Sequence, residues 1–219
     1  MNGENDRPRV VGGRRPKSVL ALLTDLIFVT IAVYLLLNYA SMFLIHVETT
    51  LFVTREIFFT AYLLIALAFL VIRRGATAFT AKKVDYAYTI LGFSSPLLFQ
   101  ITPRGGPLVV GASAEAIGLA LVAAAFLSLN RSFGLAPENR GIKTSGAYRF
   151  VRHPMYLGYI VAEAGYVFDN ASAFNLSILT ISVLFLLLRL RAEEQLLQQD
   201  QAYRNYAKKT KWKLLPLVF

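Results

Sequence analysis

The chain has no cysteine, which excludes disulfides, thiolate metal sites and cysteine nucleophiles together. Its two histidines, His46 and His153, stand far apart, so no metal centre is expected. Charged residues make up only 16% of the 219 positions, where a soluble domain carries about a quarter. Phosphate loops are missing too. Gly12–Gly13 and Gly105–Gly106 follow no strand, and neither a dinucleotide fingerprint nor a P-loop is found. Any nucleotide-like ligand must be held by a different fold.

What is present is apolar sequence, 56% of the chain, gathered into runs. Six segments stand out, at about 19–45, 57–72, 86–101, 108–129, 155–168 and 174–190. They predict an all-α, polytopic membrane helix bundle. The third run is broken at Ser94–Ser95–Pro96. The last two are short against the roughly 20 residues a bilayer needs. The polar connector Asp169–Asn175 makes them a helical hairpin whose second arm runs on out of the membrane.

The net charge of +10 takes its meaning from placement. With the first residues cytoplasmic, 21 of the 23 lysines and arginines fall in segments 1–18, 73–85, 130–154 and 189–219, leaving Arg55 and Arg104 outside. That is the positive-inside pattern. It predicts an integral membrane protein with both termini cytoplasmic, in a prokaryotic inner membrane rather than the endoplasmic reticulum. It also accounts for the basic charge without nucleic acid. Residues 1–18 read as a disordered basic arm rather than a cleavable signal, because they are polar and the following apolar run is too long. The expected organisation is this arm, N-terminal transmembrane helices over 19–129, and a C-terminal region over 130–219 that carries the hairpin and the chemistry. No internal repeat is visible.

One constellation lies in "GAYRFVRHPMYLGY", residues 146–159. Pro154 suits the first turn of a helix, where its missing N–H is harmless. The residue before a proline is pushed toward extended backbone, so His153 is held at the helix start. Free N–H groups and the positive end of the helix dipole meet Arg152 and His153 there, a setting for a carboxylate. Tyr156 follows within the first turn. The plainer reading is a basic clamp at the membrane surface with interfacial aromatics. A second constellation is Arg189, Arg191, Glu193 and Glu194, with Arg189 and Glu193 spaced i,i+4 on one helix face. Adjacent carboxylates beside a bilayer need a cation; otherwise they are a surface ion pair of little worth. Asp25, Glu115 and Glu163 fall inside apolar runs, where ionisable groups face inward.

Together, "GAYRFVRHPMYLGY" and the downstream "RLRAEEQLL…YRNYAKKTKWKLLP" resemble the isoprenylcysteine carboxyl methyltransferase family, within a wider group of integral membrane methyltransferases that includes phospholipid N-methyltransferases. The resemblance spans about Asn130 to Pro216. It implies S-adenosylmethionine held without a Rossmann sheet, with S-adenosylhomocysteine as product. The implied cofactor contacts are Gly146, Ala147, Tyr148, Arg152, His153, Pro154, Tyr156, Glu193 and Glu194. Arg189 and Glu194 are the implied catalytic residues, and no metal is involved. The family's Phe–Gly pair ahead of Tyr-x-x-Tyr is absent from "QQDQAYRNY".

The expected function is methyl transfer to a lipophilic or lipidated acceptor in the bilayer, foremost a prenylcysteine-like carboxylate, which needs only an arginine to orient it. A phospholipid amine would need a proton acceptor, Glu163, Glu193 or Glu194. A thiol is a further possibility. A nicotinamide-dependent lipid or sterol reductase shares a His-Pro-x-Tyr segment, but the acidic pair argues against it. A transporter or scaffold would be marked by polar residues at mid-membrane, and Glu115 and Glu163 alone qualify.

Overall fold

The computed structural model describes residues 19–45, 64, 67–80, 82–100, 102 and 108–216. The expected arm over 1–18 and most of the 57–72 segment lie outside the described residues. Within them the regular structure is helical apart from one pair of two-residue strands, with loops between. Helix α1 is Val19–Ile45, and α2 is described over 67–72. Then follow α3 (Lys83–Ser94), α4 (Leu108–Leu129), α5 (Pro154–Asp169), α6 (Ala173–Leu197) and α7 (Gln201–Lys209).

Two stretches, Val109–Ser132 and Ala173–Leu197, are long and apolar enough to cross a membrane. Their outward faces carry large bare side chains, among them Val109, Ile117, Leu127, Leu176 and Leu184. So broad an apolar exterior suits lipid rather than water. Helix α5 has 16 residues, about 24 Å at 1.5 Å per residue, and is shorter than a bilayer core. The 86–101 segment is not one helix. Helix α3 stops at Ser94 and a 3₁₀ turn takes over at Ser95–Leu98, because Pro96 has no N–H for an α-helical bond.

The strongest packing of α5 is with α4, not with its neighbour in sequence. Glycines make this possible. A methyl group at Gly118 would strike the backbone of Gly158 and Ala162, and one at Gly165 would strike the Gly111 carbonyl and the Glu115 amide. Gly111 and Gly118, like Gly158 and Gly165, are seven residues apart, two helical turns, so each helix offers its bare backbone on one face. The α5–α6 link is capped instead: Ser172 Oγ accepts from the Asn175 amide at 3.0 Å, and buried Asn175 donates to the carbonyls of Gln100 (2.8 Å) and Asn170 (2.7 Å).

The N-terminal helices are tied to the 130–145 loop by charge. Asp25 of α1 pairs with Arg73, and Arg140 pairs with Glu138 and donates to the Arg74 carbonyl. Strands β1 (Ala78–Phe79) and β2 (Glu138–Asn139) pair antiparallel beside them. Burial raises the Glu138 pKa, with Arg140 and Arg73 opposing that rise. Of the other ionisable groups in apolar runs, Glu163 lies beside Ser182 of α6.

Candidate functional site

The motif backbone is fixed before any side chain acts. Gly146 opens a 3₁₀ turn, Gly146–Arg149, with φ at +63°, and a side chain there would strike Ser128 of α4. Ser128 Oγ in turn accepts from the Ala147 amide at 3.1 Å. Helix α5 begins at Pro154, as the sequence predicts, with His153 at its N-cap. At φ −130° and ψ 60°, His153 is only part-way to extended. Its amide and that of Arg152 donate to the carbonyls of Lys213 (2.8 Å) and Trp212 (2.9 Å). The segment after α7 therefore returns to lie along the motif. Tyr206 completes the clamp by donating to the Tyr148 carbonyl at 2.7 Å.

Glu194 is the hub of the side chains. One oxygen, Oε2, accepts from Arg152 Nη1 at 2.7 Å. The other lies 2.7 Å from His153 Nε2 and also accepts from the Tyr203 hydroxyl. The anion expected at the start of α5 is thus the protein's own, brought in from the end of α6. Burial, then the charge and hydrogen bond of Glu194, push the Tyr203 hydroxyl well above the ordinary tyrosine range. It stays a donor.

Glu193 points elsewhere. Its Oε2 accepts from the Tyr156 hydroxyl at 2.6 Å. The Arg189 guanidinium lies 5.2 Å from the Tyr156 ring centre and 5.4 Å from that of Phe93 on α3, flanked by two aromatic rings. Tyr148, Arg152, His153, Tyr156, Arg189 and Glu193 all line one cleft, together with residues of the loop between Phe133 and Lys143. Glu194, Gly146, Ala147 and Pro154 are not on its surface; they shape the wall from behind. Buried Arg152 Nε has no hydrogen-bond partner among the described residues.

The sequence reading missed Tyr203, Tyr206, Phe93 and the Arg140–Glu138 pair. The two tyrosines carried a signal, since their Tyr-x-x-Tyr spacing puts both on one face of a short helix whose other face is basic. Phe93 carried none. The cleft brings together cations, a carboxylate and tyrosine rings in its lining. Such a surface can take up a zwitterion with an extended apolar or aromatic body.

No curated protein matches the chain. The model of the PEMT family, phospholipid methyltransferase, matches residues 107–205, starting at α4 and ending inside α7. Over these residues, a little under half of the chain, the protein is similar to the phospholipid methyltransferases, which fall in the wider group that the motif pair resembled.

Proposed function

We propose that the protein methylates a lipophilic acceptor in the bilayer with S-adenosylmethionine as donor. The observation that carries this is the cleft, whose lining brings together Arg152, Arg189, Glu193 and the tyrosines Tyr148 and Tyr156. These groups fit the donor's chemistry: a guanidinium for its carboxylate, a carboxylate for its ammonium, and ring faces for its flat base and sulfonium. When bound, the donor supplies an activated methyl on sulfur. The protein's part is to hold and orient. Glu194 fixes Arg152 and His153, Tyr156 fixes Glu193, and Arg189 stands beside Tyr156 where an acceptor headgroup enters.

The family match favours a phospholipid amine over the prenylcysteine-like carboxylate expected from sequence. An amine must lose a proton as it gains a methyl group. Glu193, on the cleft wall with the Tyr156 hydroxyl bonded to it, is the acceptor within reach. In this reading the 130–219 region carries the donor site, six apolar segments span or enter the membrane with α5 and α6 as a hairpin, and both termini face the cytoplasm of a prokaryotic cell.

Calorimetric titration of the detergent-solubilised protein with S-adenosylhomocysteine and with a nicotinamide cofactor tests the donor. Binding of the first alone is expected; binding of the nicotinamide alone would overturn the reading. Transfer of labelled methyl from S-adenosylmethionine to phosphatidylethanolamine vesicles or to a farnesylcysteine analogue separates the acceptors, and label in the farnesylcysteine arm alone would reject the amine.

A further inference from the structure

The segment after α7, "TKWKLLP" over 210–216, does more than pair with the motif. Leu214 packs among Tyr156, Leu186 and Leu190, the last two on α6 at the end of its apolar stretch. This places the segment at the level where α6 leaves the apolar layer. The next residue, Leu215, is 46% exposed, and Phe150, on the motif strand it follows, is 68% exposed. Thr210 Oγ1 reaches the Arg149 carbonyl at 3.5 Å, so the two strands stay together. Around these bare apolar groups stand exposed cations: Arg149, Lys209 and Lys211. Trp212, half-buried, lies between Lys211 and Lys213.

Cations beside bare apolar side chains and a tryptophan, at the edge of an apolar layer, complement a negatively charged lipid surface. Solvation alone accounts for the lysines but leaves Phe150 and Leu215 in water. We propose that this segment is a docking surface for anionic phospholipid headgroups of the surrounding membrane, with Arg149, Lys209 and Lys211 meeting the headgroups and Phe150, Trp212 and Leu215 entering the interface. It is separate from the cleft and does not depend on the methyltransferase reading. Because the carbonyls of Trp212 and Lys213 hold the amides of Arg152 and His153, lipid charge acts on the backbone that forms the cleft wall.

Trp212 is the one tryptophan in the chain, so emission excited at the red edge, where the tyrosines do not absorb, reports on this segment alone. The full chain is reconstituted in nanodiscs of phosphatidylcholine, with or without phosphatidylglycerol, and each lipid is used in turn in brominated form. The expected result is a blue-shifted emission in the anionic discs. Brominated phosphatidylglycerol should quench more than brominated phosphatidylcholine at equal fraction, and added salt should remove the preference. Lys209→Gln and Lys211→Gln should each weaken the preference about fivefold. The salt arm needs no variant. Equal emission and equal quenching by the two lipids at low salt would overturn the proposal.

Discussion

His153 Nε2 and Glu194 Oε1 lie 2.7 Å apart, joining the N-cap of α5 to the last turn of α6. Arg152 and Tyr203 bind the same carboxylate, so four residues from three segments of chain meet at one buried group.

Removing that carboxylate leaves three buried donors facing one another. Glu194→Gln should therefore lower stability, by about 3–5 kcal/mol for a broken buried ion pair. Glu193→Gln, with one hydrogen bond from Tyr156, should cost about 1 kcal/mol. Thermal unfolding in detergent compares the two. S-adenosylhomocysteine affinity at a temperature where both are folded should fall in Glu193→Gln. Equal losses of stability would mean that Glu194 is not the hub.

Tyr203 gives a pH signature. Its folded pKa is raised above the ordinary 10.0, so the proton it keeps supports the fold fully below about pH 10 and progressively less above that. Stability of the wild type should then fall with alkalinity. Tyr203→Phe should remove about 1.4 kcal/mol per pH unit from that slope, one proton's worth. Identical slopes in the two proteins would show that this hydroxyl does not titrate differently on folding.

Much of this was legible in the sequence. The helix start at Pro154, the polar link before α6 and the break at Pro96 each follow from one residue's backbone chemistry, which acts locally. The hub was not legible in the same way. Nothing within 41 residues of chain links His153 to Glu194, and the sequence assigned both members of the acidic pair to the donor. Only packing separates them, since neighbouring residues on a helix point about 100° apart. Asp25 was legible as a group needing a partner, but Arg73 as that partner was not.

The α4–α5 contact depends on bare backbone. Gly158→Ala would put a methyl group against Val122 and the Gly118 carbonyl. The helices would have to part, at about 1–3 kcal/mol for overpacking, and membrane-inserted yield should drop. Ala162→Gly, which leaves the contact open, should be tolerated. A wild-type melting temperature for Gly158→Ala would mean the two helices are not packed this closely.

Arg189 sits against two rings, and a lysine keeps its charge but not its plane. Arg189→Lys should reduce turnover by tenfold or more, roughly the loss of one charge-assisted hydrogen bond. S-adenosylhomocysteine affinity should change little. His153→Ala should do the reverse, weakening that affinity about five- to 150-fold. Parallel loss of affinity in both variants would reject this division of roles.

Reporter fusions at Gly105 and Asn170 test orientation. Both should read as external if the basic segments are cytoplasmic. A cytoplasmic signal from either would overturn the six-segment arrangement.

The amides of Arg152 and His153 take their partners from Trp212 and Lys213, some sixty positions further along. A growing chain can thread α4 and α5 into the membrane and pack their glycine faces while residues 212 and 213 are still inside the ribosome. The histidine then has no strand to hold it, and Glu194 and Tyr203 arrive only shortly before that strand. Assembly of the cleft is therefore a late event in the birth of the molecule, and a polypeptide stalled before Trp212 would be inserted, helical and inert.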